Sequence, residues 1–246
     1  MENSTGLVLS GGAARGFAHI GVLKAIEEKG IEITHISGTS AGAIIGALYA
    51  SGLNSIQIKE ALNEVDFFEF KSLSPSKSGL FKTDSIRRLI KEFVTHDSFE
   101  KLKRKLVIAA TNMNSGNVTY FTAGSLSDKV AASSAIPGIF KPVEINGEYF
   151  NDGAITDNLP VIPIKQKCNR LIAVDVNKIE PVEGQLSFTE IIDRSIHISA
   201  NEQLISKFEL IDIFIRPTEM FKHSPLSTKN IDYYIERGYL EANKLL

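Results

Sequence analysis

Two small-residue junctions fall within the first 42 positions of this 246-residue chain, and they constrain its fold more than any other feature. Each follows an apolar run and precedes a stretch patterned like a helix. Ser10-Gly11-Gly12-Ala13-Ala14-Arg15-Gly16 follows a strand-like run beginning at Gly6 and opens a helix expected over Arg15 to Lys29, stopped by Gly30. Gly38-Thr39-Ser40-Ala41-Gly42 follows a short strand at Thr34 to Ser37 and opens a small-residue helix over Ala41 to Ser51, stopped by Gly52. Two strand–turn–helix units in succession point to an α/β fold with a mostly parallel sheet.

The rest of the pattern continues the alternation. Helices are expected over Ser55 to Val65 and over Asp84 to Val94, the second with Asp84 as N-cap. A strand at Leu106 to Ala110 pairs with Val118 to Thr122 across the turn Asn114-Ser115-Gly116-Asn117. A short helix over Leu126 to Ala135 ends at Pro137-Gly138. A strand at Arg170 to Val176, a long helix over Glu190 to Leu210, a strand at Asp212 to Arg216 and a closing helix over Lys229 to Leu246 complete the chain. No convincing linker interrupts it, so residues 1–246 read as one domain.

Composition removes several function classes. The 27 Lys+Arg against 29 Asp+Glu leave a net charge of −2, too even for a dedicated nucleic-acid binder. A hydrophobic fraction of 43% is too high for a disordered chain. The one cysteine, Cys168, can form neither an internal disulfide nor a cysteine metal cluster. The most apolar run, Ala41 to Ala50, is half of the roughly 20 residues that span a bilayer, and the N-terminus lacks a secretory pattern. A cytoplasmic protein is expected, with at most transient contact with a membrane surface.

The Gly38–Gly42 junction matches G-x-S-x-G. A serine at a sharp strand-to-helix turn needs small neighbours two residues to either side, and the helix start aims N–H groups at developing negative charge. Read alone, the pattern is either such a nucleophile, Ser40, or a structural turn. The first junction has three readings: an oxyanion hole, a near miss to the dinucleotide fingerprint G-x-G-x-x-G, or a tight turn that binds nothing. Ala13 stands where that fingerprint needs its second glycine. Arg15 is either a solvated surface charge or a residue that holds the loop or attracts an anionic head group.

A serine needs a base. His197 and His223 follow Ser40 in the chain, but only two strands precede the serine, which disagrees with the α/β-hydrolase order of parts. An aspartate hydrogen-bonded to the hydroxyl can serve instead. Asp152, in Phe150-Asn151-Asp152-Gly153-Ala154, is the best candidate, although Asp-Gly by itself is a common turn signal.

Taken together and in order, these motifs resemble the patatin-like phospholipases, and most closely the compact bacterial members. The stretch from Ala132 to Phe140, including Pro137-Gly138, and Asn158-Leu159-Pro160 resemble further blocks of that family; the likeness spans roughly residues 6 to 176. The resemblance implies a three-layer α/β/α sandwich and acyl-ester hydrolysis of a lipid, with no cofactor and no metal. It makes Ser40 the nucleophile and Asp152 the base. Gly11, Gly12 and Ala13 would supply the oxyanion-hole amides, with Arg15, Gly38, Gly42 and Gly153 in support. Ala13 departs from the family's third glycine, and the hole survives the change provided that Ala13 sits at negative φ.

Other functions use the same parts. An acyltransferase or thioesterase would form the same acyl-enzyme, a regulatory lipid-binding protein would keep a vestigial site, and a nucleotide-binding oxidoreductase would use the glycine loop alone. Phe67, Phe68, Phe70, Leu80 and Phe81 flank a loop over Lys71 to Lys82 and read either as a lid or as core. Lys71, Lys77 and Lys82 would meet anionic lipid or simply be solvated.

Overall fold

The protein is described by a computed structural model covering residues 4–64, 73–76, 79–81, 83–182, 184–223 and 230–246. Strand β1 (Thr5–Leu9) lies at the centre of a sheet with β2 (His35–Thr39) on one side and β9 (Arg170–Val174) on the other, all parallel. Outside β9 lies β10 (Ile213–Ile215), and outside β2 lies β5 (Lys105–Asn112), again parallel. Antiparallel strands finish the sheet. β6 (Val118–Phe121) and β8 (Glu148–Asp152) both pair with β5, and β7 (Val143–Ile145) pairs with β8.

Side chains alternate between the two faces with the period of a strand. Leu7 and Leu9 of β1, Ile108 of β5 and Ile172 of β9 enter a large core. Val8, Val107, Leu171 and Ala173 enter a smaller one on the opposite face. Helices α1 (Ala18–Glu28), α2 (Ala41–Ser51), α3 (Ser55–Asn63), α4 (Asp84–Phe93), α5 (Leu126–Ser133) and α8 (Ile231–Leu245) bury residues in the large core. α6 (Ile162–Lys165) and α7 (Phe188–Ile205) contribute Ile164 and Leu204 to the smaller one. The expected three-layer sandwich is therefore present. Burial on both faces explains why β1 and β9 read as continuous apolar runs.

Several local expectations need correction. The helix expected from Arg15 begins as a 3-10 turn, Ala13–Phe17, before α1 takes over. Asp84 is the first residue inside α4, not its cap; Thr83 holds the N-cap position and its hydroxyl accepts from Arg87. Asp84 instead places a carboxylate in the first turn, where the helix dipole favours it. The long helix expected to reach Leu210 ends at Ile205, and a separate 3-10 turn covers Phe208–Leu210. β7 was not expected. Its signal was the Asn146-Gly147 pair, both at positive φ (54° and 83°), which makes the two-residue turn into β8. Within the loop expected over 71–82, β3 (Leu73–Ser76) and β4 (Gly79–Phe81) pair antiparallel. The side chains of the aromatic and lysine cluster around that loop lie outside the described residues. Among the described residues, no helix is long and apolar enough to cross a membrane.

One edge of β5 positions the chemistry. β2 runs along it as far as Thr39, opposite Ala109, and β8 occupies the next stretch from the other direction, with Asp152 opposite Ala110. The ends of β2 and β8 therefore meet head to head.

α1 and α8 pack through glycines. A Cβ added at Gly238 would stand 2.0 Å from the Ala18 carbonyl oxygen. Gly238→Ala is expected to destabilise the protein by about 1–3 kcal/mol through overpacking, lowering Tm by roughly 2–4 °C per kcal/mol. An unchanged Tm in a calorimetric scan would show that this contact does not hold α8 in place.

Candidate active site

Ser40 leaves β2 with φ 53° and ψ −121°, a backbone conformation that side-chain-bearing residues rarely adopt. Strain of this kind costs about 1–3 kcal/mol and persists only where the surroundings enforce it. Here they do. The Ser40 carbonyl accepts from the N–H groups of Ala43 and Ile44 at 2.9 and 3.0 Å. The Ser40 N–H donates to the Ser133 hydroxyl at 2.9 Å, and that hydroxyl donates onward to the Ala109 carbonyl at 2.6 Å. Space is as tight as the motif implied. A Cβ on Gly38 would stand 2.5 Å from the Gly42 carbonyl oxygen, and one on Gly42 would stand 2.3 Å from that of Leu9.

The hydroxyl of Ser40 donates to Asp152 Oδ2 at 2.6 Å. The other carboxylate oxygen, Oδ1, accepts from the Ala154 N–H at 2.9 Å. The Asp152 backbone is held at both ends: its N–H donates to the Ala135 carbonyl and its carbonyl accepts from the Thr111 hydroxyl. Gly153 lets the chain pass close to β5, since a Cβ there would lie 2.3 Å from the Ala109 carbonyl oxygen. Both side chains are nearly sealed from solvent, Ser40 at 5% exposure and Asp152 at 3%. No histidine hydrogen-bonds Ser40 among the described residues. His197 lines a small cavity with Asn158, Asp175 and Asn177, and His223 packs edge-on against Tyr233.

The glycine loop lies directly beside this pair: a Cβ on Gly11 would be 3.1 Å from Ser40 Cβ. Its three amides are not equivalent. Gly11 N–H donates to the Asn158 carbonyl at 3.2 Å, so it is already engaged. Among the described residues, Gly12 N–H and Ala13 N–H make no hydrogen bond. Ala13 sits at φ 48°, not at negative φ, a left-handed conformation costing an alanine about 1–2 kcal/mol. The condition of negative φ is therefore not met: Ala13 holds the left-handed region at an energetic cost, while among the described residues its amide stays unengaged.

Arg15 is no surface charge. It is fully buried, donates from Nε to Asn177 Oδ1 at 3.2 Å, and lies 4.4 Å from the centre of the Phe221 ring. Of its two expected roles, the geometry matches that of holding the loop. Four further residues escaped the motif reading. Ser133 braces the Ser40 backbone, and the Asn158 carbonyl engages Gly11. Asn177 reaches the loop from beyond the end of β9, and His19 holds the Ser10 carbonyl. Ser133 and Asn158 do fall within the stretches that carried the resemblance. Among the described residues no cluster of three or more His, Cys, Asp or Glu side chains is arranged to hold a metal ion.

The match to a family model for patatin-like phospholipases covers residues 7–164. The chain belongs to the patatin-like phospholipase family. Among curated relatives it is 33% identical to an uncharacterized NTE family protein of Mycobacterium tuberculosis over 177 residues, 71% of this chain and 49% of that protein. It is 34% identical to the lysophospholipase NTE1 of Candida glabrata over 184 residues, 71% of this chain and 10% of that protein. This patatin-like chain thus aligns with at most about half the length of these relatives. Among solved structures it is similar to VipD from Legionella pneumophila, with 16% identity and a TM-score of 0.58 over 98% of this chain and 66% of the other. It is similar also to ExoU, with 14% identity and a TM-score of 0.54 over 98% and 52%. These likenesses are of fold.

His19 offers a test of how the loop is anchored. Its Nε2 lies 2.8 Å from the Ser10 carbonyl, so Nε2 carries the proton and donates. Complete burial pushes its pKa from 6.5 down to about 4, against the opposing pull of that carbonyl and of Asp175. Because the folded value is the lower one, the neutral ring stabilises the fold fully above pH 6.5, and this contribution fades as pH falls toward 4. The shift corresponds to about 3 kcal/mol. His19→Gln keeps a donor and does not titrate, so Tm should fall less steeply than in the wild type between pH 6.5 and 4. Parallel Tm–pH curves would contradict this account.

Proposed function

We propose that the protein is a serine acyl-ester hydrolase acting on a lipid ester, with Ser40 as nucleophile and Asp152 as its base. The observation that carries this reading is the 2.6 Å hydrogen bond between Ser40 Oγ and Asp152 Oδ2 at a strained strand-to-helix turn. Family membership supports the substrate class, as does the word lysophospholipase in the names of fungal relatives.

Two steps follow from the chemistry. Asp152 accepts the hydroxyl proton while Ser40 Oγ attacks the ester carbonyl. The negative charge that collects on the carbonyl oxygen is met by the unengaged amides of Gly12 and Ala13, at the start of the turn leading into α1. Collapse of this intermediate expels the alcohol or lysolipid, which takes its proton from Asp152. A water molecule, deprotonated by the same carboxylate, then attacks the acyl-Ser40 ester, releases the fatty acid and restores the serine. Asp152 can return to the same position in each cycle because the Ala154 N–H holds its second oxygen.

A fluorophosphonate probe and an ester panel test the dyad. Ser40→Ala should abolish labelling and lower kcat by about 10⁴–10⁶-fold, with Asp152→Asn within the same range or above it. Labelling of all three proteins at equal rates would remove the dyad.

A further inference from the structure

We infer that Asn177 is a positioning residue for this reaction, pinning the Gly11–Gly12 peptide so that Gly12 N–H is available to the oxyanion. The inference rests on the hydrolase reading above and extends it to a residue outside the region matched by the family model, which ends at 164.

The argument starts from the peptide bond. In a planar trans peptide the C=O of one residue and the N–H of the next point in opposite directions, so whatever holds the carbonyl aims the amide. Successive carbonyls of the loop are each held. Ser10 O accepts from His19 Nε2 at 2.8 Å, which turns Gly11 N–H the other way, to the Asn158 carbonyl. Gly11 O accepts from Asn177 Nδ2 at 2.7 Å and from the Ser10 hydroxyl at 2.9 Å. Gly12 O accepts from Arg15 N–H at 3.0 Å. The last two anchors orient the Gly12 and Ala13 amides, the two that the reaction needs unengaged. His19 and Arg15 act from within the loop and the helix it opens. Asn177 acts from just beyond the end of β9, more than 160 residues away in sequence.

The Asn177 amide is itself fixed in orientation. Its Oδ1 faces Arg15 Nε, which can only donate. Its Nδ2 faces Gly11 O and Asp175 Oδ1, which only accept, so a flipped amide would lose every one of these bonds. Asp175 is held in turn by Arg216 at 2.8 Å, and Arg216 donates to Asn201 of α7 at 2.6 Å. Asn177 is 3% exposed. A chain of oriented groups, half-buried at Asn201 and Arg216 and buried at Asp175 and Asn177, therefore runs from α7 to the Gly11 carbonyl.

The variant Asn177→Asp separates this role from simple support of Arg15. It keeps an acceptor for Arg15 and removes the donor to Gly11. Using p-nitrophenyl butyrate as substrate, kcat should fall about 10- to 100-fold with KM within about threefold, less than the roughly 10²–10³ lost with a whole oxyanion donor. Inhibition by an alkyl trifluoromethyl ketone, whose adduct places an oxyanion in the hole, should weaken by a similar factor. Asn177→Ser, too short to reach Gly11, should behave alike and decides the matter if the aspartate variant does not fold. A folded variant with kcat and inhibition within about twofold of wild type, or with a loss confined to KM, overturns the inference. Ser40→Ala is measured alongside. Full hydrolysis by that variant overturns the hydrolase reading and this inference with it. An inactive Ser40→Ala beside a fully active Asn177→Asp overturns the positioning role alone.

Discussion

The pairing along a single edge of β5 is the constraint on which the rest of the structure depends. β2 and β8 approach that edge from opposite directions and end where they meet, at Ala109 and Ala110. β2 ends one residue before Ser40 and β8 ends on Asp152, which is how the two side chains come within 2.6 Å although 112 residues separate them. Ser133, at the end of α5, donates to the Ala109 carbonyl at the same spot and accepts from Ser40 N–H. The antiparallel β7–β8 hairpin is thus more than an edge decoration on a parallel sheet. Without it, the aspartate would have no strand to ride on.

Strain at the site is local and supported from several sides. Ser40 and Ala13 both occupy positive φ, and both lie in turns that join a strand of the central sheet to a helical segment. Such conformations are tolerated because the surrounding hydrogen bonds leave the backbone little alternative. At Ser40 the support comes from α2 and Ser133. At the glycine loop it comes from His19, Arg15, Asn158 and Asn177. Buried charge joins the same scaffold. Lys207 reaches Asp157 at 2.5 Å and the Leu159 carbonyl at 3.0 Å, bracing the turn that follows Asp152, and the Tyr120 hydroxyl donates to the same carboxylate. Burial beside that carboxylate drives the Tyr120 hydroxyl pKa upward, so it remains a donor. Removing one partner from such a pair would strand the other charge, which is the costly event in a buried network.

Much of this was legible in the chain alone, because the signals are local. α2 runs over Ala41–Ser51 as read, since Gly52 supplies the left-handed exit at φ 109°. G-x-S-x-G between a strand and a helix pointed to Ser40, while the Asp-Gly turn after Glu148-Tyr149-Phe150 singled out Asp152 only together with the family resemblance. The β7–β8 hairpin went unread, although Asn146-Gly147 carried a local signal for it. The fate of Arg15 was not legible. An arginine at a helix start is usually solvated, and only the approach of Phe221 and Asn177 from distant segments shows it to be enclosed.

The sequence by itself determined most of the alternation of strands and helices, the two tight turns and the candidate nucleophile and base. These follow from backbone preferences and periodicity, which act over a few residues. Tertiary structure decided which loop amides remain unengaged, which carbonyls are pinned, and that Asn177 and Ser133 hydrogen-bond to the Gly11 and Ser40 backbone. The contacts of Ser133 and Asn177 join groups 93 and 166 residues apart, whose partners are set by how the sheet is threaded rather than by any neighbouring residue.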